Sequence, residues 1–215
     1  MRLGTAVLGD KPALIVWTHD ASDAVNRNNY SFTAGFGDEE PSRKILVNVA
    51  TFSGLGTTIS GVTIGGVTPT LLITQSLLRL YIADVPASTS GTVTVSYSGA
   101  QANGCAIMVW ATYGQRSSTP IDTAQLTLPA LTASADLSVD TRSGGIVVAA
   151  IAGGANGTSH TWTGVTEDTE TTSGINNWVR SGASANVASG QNPRTVGVSS
   201  SNASLERYAL AASFR

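Results

Sequence analysis

The chain has 215 residues, with 12 basic side chains against 14 acidic ones and a net charge of −2. That is long enough for a sizeable core, and it lacks the positive field that nucleic-acid binding requires. Charged residues make up only 12% of the chain, about half the usual share, while 25 serines and 27 threonines supply roughly a quarter of it. Two lysines and five glutamates are too few for a coiled coil or helical bundle, and the single cysteine, Cys105, excludes an internal disulfide and a cysteine-based zinc site.

In chain order, residues 1–28 read as an N-terminal arm with one strand at Ala13–His19. Asp10, Lys11 and Pro12 interrupt its apolar stretch, so no secretory signal is expected. No later apolar run approaches the ~20 residues of a membrane helix, which places synthesis in a cytoplasm and predicts no membrane association. Residues 29–215 read as one β-sandwich domain. Ile45–Val49 is apolar on both faces and reads as a central strand. Thr70–Asp84 could line a helical face, but Leu80 and Ile82 alternate with Arg79 and Tyr81, which favours strand. Thr92–Ser98 alternates polar and apolar without a break. Ala106–Ala111 is a second central strand, with Cys105, Ile107 and Val109 on one face and Met108 and Trp110 on the other. Gln125–Leu128 and Leu137–Asp140 alternate, Ile146–Ile151 is a third central strand, and Thr195–Ser199 and the Tyr208, Leu210, Ala212, Phe214 set close the chain. Glycine turns such as Gly65-Gly66, Ser98-Gly99 and Gly144-Gly145 separate these segments. Strands recurring every ~8–12 residues predict an all-β fold, a two-sheet antiparallel sandwich of jelly-roll-like type.

The two halves also echo each other at an offset near ~100 residues, a weak internal duplication. Ile45-Leu46-Val47 answers to Ile146-Val147-Val148, Thr92–Ser96 to Thr195–Ser199, and Ala111-Thr112-Tyr113 to Ala212-Ser213-Phe214. Packing one set of strands against the other would give a single sandwich; two small sandwiches side by side are the alternative.

Catalytic signals are sparse. No G-x-S-x-G, G-x-G-x-x-G or P-loop motif occurs. His19 stands beside Asp20 and near Asp23, but serines are so abundant that a Ser–His–Asp reading is uninformative, and a strand-end histidine in a polar turn is the expected reading. Glu167, Asp168 and Glu170 could pair as glycosidase carboxylates, although a Thr-rich loop would leave them solvated. Asp38-Glu39-Glu40 reads as a solvated turn rather than a calcium loop. No catalytic residue, metal or cofactor is therefore assigned. For a lectin-like surface, the candidate ligand-binding residues are Trp162, beside His160, and Trp178, with Asn176 and Asn177 preceding it.

Arg43–Val47, Val62-Thr63-Ile64-Gly65-Gly66-Val67, Ala83-Asp84-Val85-Pro86, Gly91-Thr92-Val93-Thr94-Val95 and Cys105–Trp110 together form a pattern. Over residues 30–215 it resembles β-sandwich particle proteins encoded in tailed-phage, prophage and gene-transfer-agent clusters. The resemblance implies a non-enzymatic structural protein of a phage-like virion, displayed on the particle surface as capsid decoration (cement) or head spike or fibre. Its implied partners are the major capsid protein or other virion proteins, and further copies of itself, a trimer among the expected assemblies. The alternative it carries is a receptor-binding, carbohydrate-recognising module on the tail or spike, facing a host surface glycan.

Overall fold

The computed structural model describes residues 11–53, 57–154, 157–172 and 178–215. The first half supplies β1 (Leu14–Asp23), β2 (Asn29–Gly35), β3 (Lys44–Ser53), β4 (Thr57–Ile64), β5 (Thr70–Gln75), β6 (Leu78–Asp84), β7 (Ser90–Gly99) and β8 (Ala102–Tyr113). These form a five-stranded sheet ordered β1-β8-β3-β6-β5 and a three-stranded sheet ordered β2-β7-β4. The second half supplies β9 (Asp122–Leu128), β10 (Ser134–Val139), β11 (Gly145–Gly153), β12 (His160–Thr163), β13 (Thr166–Thr172), β14 (Val179–Val187), β15 (Arg194–Ser200) and β16 (Arg207–Phe214). Their sheets run β9-β16-β11-β14-β13 and β10-β15-β12. Adding eight to each strand number turns the first pair of sheets into the second. The duplication is thus one of topology, and each half repeats the eight-stranded order of a jelly roll with its fifth strand moved to the larger sheet.

The all-β antiparallel sandwich expected from the sequence is present, but the number of layers differs. Each half closes its own sandwich, and the two stack through their five-stranded sheets. The physical reason lies in the alternation of the central strands. In β3, Ile45, Val47 and Val49 face the core beneath the three-stranded sheet, while Leu46 and Ala50 face the second sandwich. In β11, Val147, Ala149 and Ile151 turn to the second sandwich's own core, and Ile146, Val148 and Ala150 to the shared one. Strands apolar on both faces need cover on both faces, and a single two-layer sandwich provides only one. Residues 14–23 are the edge strand of the first sheet, paired with β8 from Leu14↔Tyr113 to Asp23↔Cys105; the strand expected in an N-terminal arm is built into the fold. Thr70–Asp84 is β5 and β6, a hairpin turning at Ser76, whose φ is 46°.

Register corrects part of the sequence alignment between halves. Leu46 pairs with Trp110 and Ile146 with Phe214, all four in the shared core, so Leu46, not Ile45, is the counterpart of Ile146. Trp110 likewise matches Phe214, whereas the sequence alignment matched Tyr113 to it. An offset wrong by an odd number exchanges the two faces of a strand. Thr92–Ser96 and Thr195–Ser199 correspond face for face: Val93, Val95, Val196 and Val198 all point inward.

Trp110 fills the middle of the shared core, fully buried, with Trp17 edge-on at 5.4 Å and 69°. Space for its ring comes from Gly182 on β14, where an added Cβ would lie 2.8 Å from Trp110 Cζ2.

Candidate functional site

The polar groups noticed in the sequence are distributed by strand parity. On β1, His19 pairs with Val109 and Asp20 with Met108, residues of opposite faces, so no His–Asp pair forms. Asp20 turns to the second sandwich, where Arg180 Nε donates to its Oδ1 at 3.1 Å and Thr169 and Thr171 donate to its Oδ2. Asp23 holds Arg27 at 3.2 Å.

Glu167, Asp168 and Glu170 lie on β13, an edge strand, rather than on the expected loop; Glu167 and Glu170 stand opposite Ala183 and Ser181 on one face, and Asp168 turns to the other. A register shift between Glu167 and Thr169 sends Asp168 toward the shared core, where its Oδ2 accepts from Trp110 Nε1 at 2.8 Å. Burial raises the Asp168 pKa, and the bonds from Trp110 and Ser184 offset this in part. Burial and the nearby Glu170 raise that of Glu167. Asp168 is held by Trp110 on the face opposite Glu167 and Glu170, so the three do not converge on one cleft as glycosidase chemistry requires.

Glu170 instead meets His160, a pairing not foreseen. The backbone N–H of His160 donates to Glu170 Oε2 at 2.5 Å, and its Nδ1 lies 3.0 Å from the same oxygen, which places the proton of the neutral ring on Nδ1. Burial drives the His160 pKa below its ordinary value, Glu170 pulls it back up, and Arg207 adds to the lowering. In the β12–β15 ladder His160 stands directly opposite Ser200. His160 Nε2, Ser200 Oγ and Arg207 Nε are all buried without a hydrogen-bond partner. The residue types suggest a Ser–His–Glu relay, but the His160 side chain has zero exposure and the Ser200 hydroxyl is enclosed. A nucleophile and its base must reach substrate, so this cluster is a buried polar anchor for the end of the second sandwich. Arg180 and Arg207 had no sequence signal beyond being isolated arginines in apolar, small-residue strands.

Of the lectin-like candidates, Trp162 is 8% exposed and donates its Nε1 to Ser181 Oγ at 2.8 Å. It is a core residue with no free face for a sugar ring. Trp178 is half-buried, edge-on to Phe52 at 5.6 Å, and Asn176 and Asn177 lie outside the described residues. Cys105 is buried as expected, its thiol pushed up to about 12 by burial.

The outer surfaces carry a more regular chemistry. On the β2-β7-β4 sheet, Ser31, Thr94 and Thr63 form one row, Thr33 and Thr92 another, and Asn29, Ser96 and Gly61 a third. On the β10-β15-β12 sheet the matching rows are Asp136, Gly197 and Thr163, then Ser134, Ser199 and Thr161. These two sheets are the outermost layers of the stack, and Asp136 is the lone ionisable side chain in the rows. The chain thus presents two hydroxyl-rich faces, one on each outer sheet.

Comparison with protein-family models gives no match, and comparison with curated proteins gives none either.

Proposed function

We propose that this protein is a non-enzymatic structural component of a phage-like particle, displayed on the particle surface as decoration or head spike and packed against capsid protein or other copies of itself. The observation that carries this reading is the pair of hydroxyl faces on the outermost sheets. A free-standing β protein blunts its flat faces and edges with Lys and Glu, whereas small neutral side chains let a flat sheet lie close against a neighbour without desolvating charge. The resemblance over residues 30–215 to particle proteins supports the same reading. So, by fold analogy alone, does the jelly-roll order, which recurs in viral capsid domains.

The test is mass spectrometry of particles purified from a strain that carries the gene. The chain should be present in many copies per particle, and its absence from mature particles would sink the proposal. Ser31→Lys and Thr161→Lys each place a charge on one outer face, at exposed positions that fold tolerates. At least one of them should lower the number of copies incorporated.

A further inference from the structure

Resting on the reading of the outer sheets as contact surfaces, we infer that the outer sheet of the second sandwich docks on a different protein, which seats a lysine or arginine side chain on Asp136. In that sheet β15 runs between β10 and β12, and its Gly197 stands opposite Asp136 on one side and Thr163 on the other. A Cβ added to Gly197 would lie 2.4 Å from Thr163 Oγ1 and 2.8 Å from Asp136 Oδ1. With no side chain between them, the hydroxyl and the carboxylate lean together over the middle strand. Ser134, Thr161 and Ser199 border the same shallow recess of about 150 Å³, so every polar side-chain atom around it is an oxygen.

The internal repeat shows that the fold does not require this arrangement. The matching row of the first sandwich is Ser31, Thr94 and Thr63, and the hydroxyls of Thr63 and Thr94 share a hydrogen bond at 2.6 Å. That row is neutral and two of its three hydroxyls satisfy each other. In the second sandwich glycine stands in place of the middle threonine and aspartate in place of the serine. Asp136 is exposed, and among the described residues it makes no hydrogen bond or ion pair.

A neighbour laid over this sheet takes the carboxylate out of water, and a buried carboxylate is stable only when it is paired with a cation. The outer sheets of a second copy supply none. The rows of the first face hold Ser, Thr and Asn side chains, and the second face would bring another Asp136. Hydroxyls can donate to the carboxylate but carry no counter-charge. Elsewhere in the chain Lys11 and Lys44 already hold Glu40 and Asp84, Arg27 and Arg180 hold Asp23 and Asp20, and Arg43 and Arg207 are buried. The fit is to a foreign surface with a protruding basic side chain, whose N–H donors match the oxygens and whose charge matches Asp136. The first outer face makes no such demand, so the two outer sheets differ in what they accept.

The test complements a strain deleted for the gene with the full-length chain, wild type or variant, at matched and limiting expression, and counts copies per purified particle. Asp136→Asn keeps the shape and removes the charge. It should reduce the copies by about ten-fold, the weakening that loss of one charge-assisted hydrogen bond brings. Asp136 has no partner within the chain, so folding does not depend on it. Ser31→Asn, at the matching place in the first sandwich, should be incorporated as the wild type is. A photo-reactive benzophenone side chain introduced in place of Thr161, at the rim of the recess, should cross-link to a particle protein other than this chain. Equal incorporation of Asp136→Asn, or a cross-link to another copy alone, would overturn the inference and leave the particle role standing. Absence of the wild-type chain from the particles would overturn both.

Discussion

Asp20 and Arg180, 160 residues apart in the chain, meet at 3.1 Å and fasten the edge of the first sandwich to the second. The Arg180 side chain is 1% exposed and that of Asp20 14%. Breaking such a pair by removing one partner leaves a buried charge uncompensated, so Asp20→Ala should cost about 3 kcal/mol. Asp20→Ala combined with Arg180→Met should cost less than the sum of the single changes. Urea denaturation of the four proteins gives the coupling; strict additivity would show that the pair carries no energy of its own.

Asn48 sits on the shared-core face of β3 with no exposure, and neither its Oδ1 nor its Nδ2 has a hydrogen-bond partner. Its counterpart in the second half is Val148, an apolar residue of that same core. Asn48→Val should therefore stabilise the protein, by about 1–2 kcal/mol, through removal of an unsatisfied amide. The denaturation midpoint should rise at constant slope; a lower midpoint would mean that Asn48 holds a bridging water worth more than the desolvation it costs.

Gly182 gives Trp110 its space. Gly182→Ala brings a methyl within 2.8 Å of the indole, and an overpacked core of this kind loses about 1–3 kcal/mol. Trp110→Leu in the same protein should recover part of that loss, which thermal unfolding of the single and double variants measures. An unchanged melting temperature in Gly182→Ala would contradict the packing.

His160 governs the response to mild acid. Its pKa is lowered in the fold from an ordinary 6.5, so below that value the unfolded chain takes up a proton that the native state resists. Stability is then present above about pH 6.5 and is lost as pH falls toward the folded pKa. Glu167 and Asp168 have raised values. Their contribution is full below the ordinary carboxylate values and lost as pH rises, so it has the opposite slope and cannot mimic the histidine. Between pH 7.5 and 5.5 the wild type should lose stability. His160→Asn, which keeps a donor for Glu170 but does not titrate, should flatten that slope, and an equal slope in both would refute the assignment.

Much of the fold was legible in local pattern. Alternation marked β7 and β15, runs apolar on both faces marked β3, β8 and β11, and glycine pairs marked the turns, because strand burial has a period of two that composition preserves. The buried state of Cys105 and the split of β8 into two faces follow from the same rule. The candidate site was less legible. For Trp162 the sequence allows both a strand-anchoring core position, the commoner case, and a stacking surface, because an isolated aromatic gives no sign of which face it takes, and the pairing of His160 with Glu170 depends on β13 crossing to lie beside β14.

What the amino-acid sequence settles by itself is therefore the all-β class, the positions of the central strands and the charge-poor, hydroxyl-rich surface, since each is a property of neighbouring residues. Whether two-faced strands are covered by one partner sheet or two was decided only in three dimensions, as was the Asp20–Arg180 link. The link joins residues 160 positions apart in the chain, and such meetings are set by sheet order and register, which local periodicity does not encode.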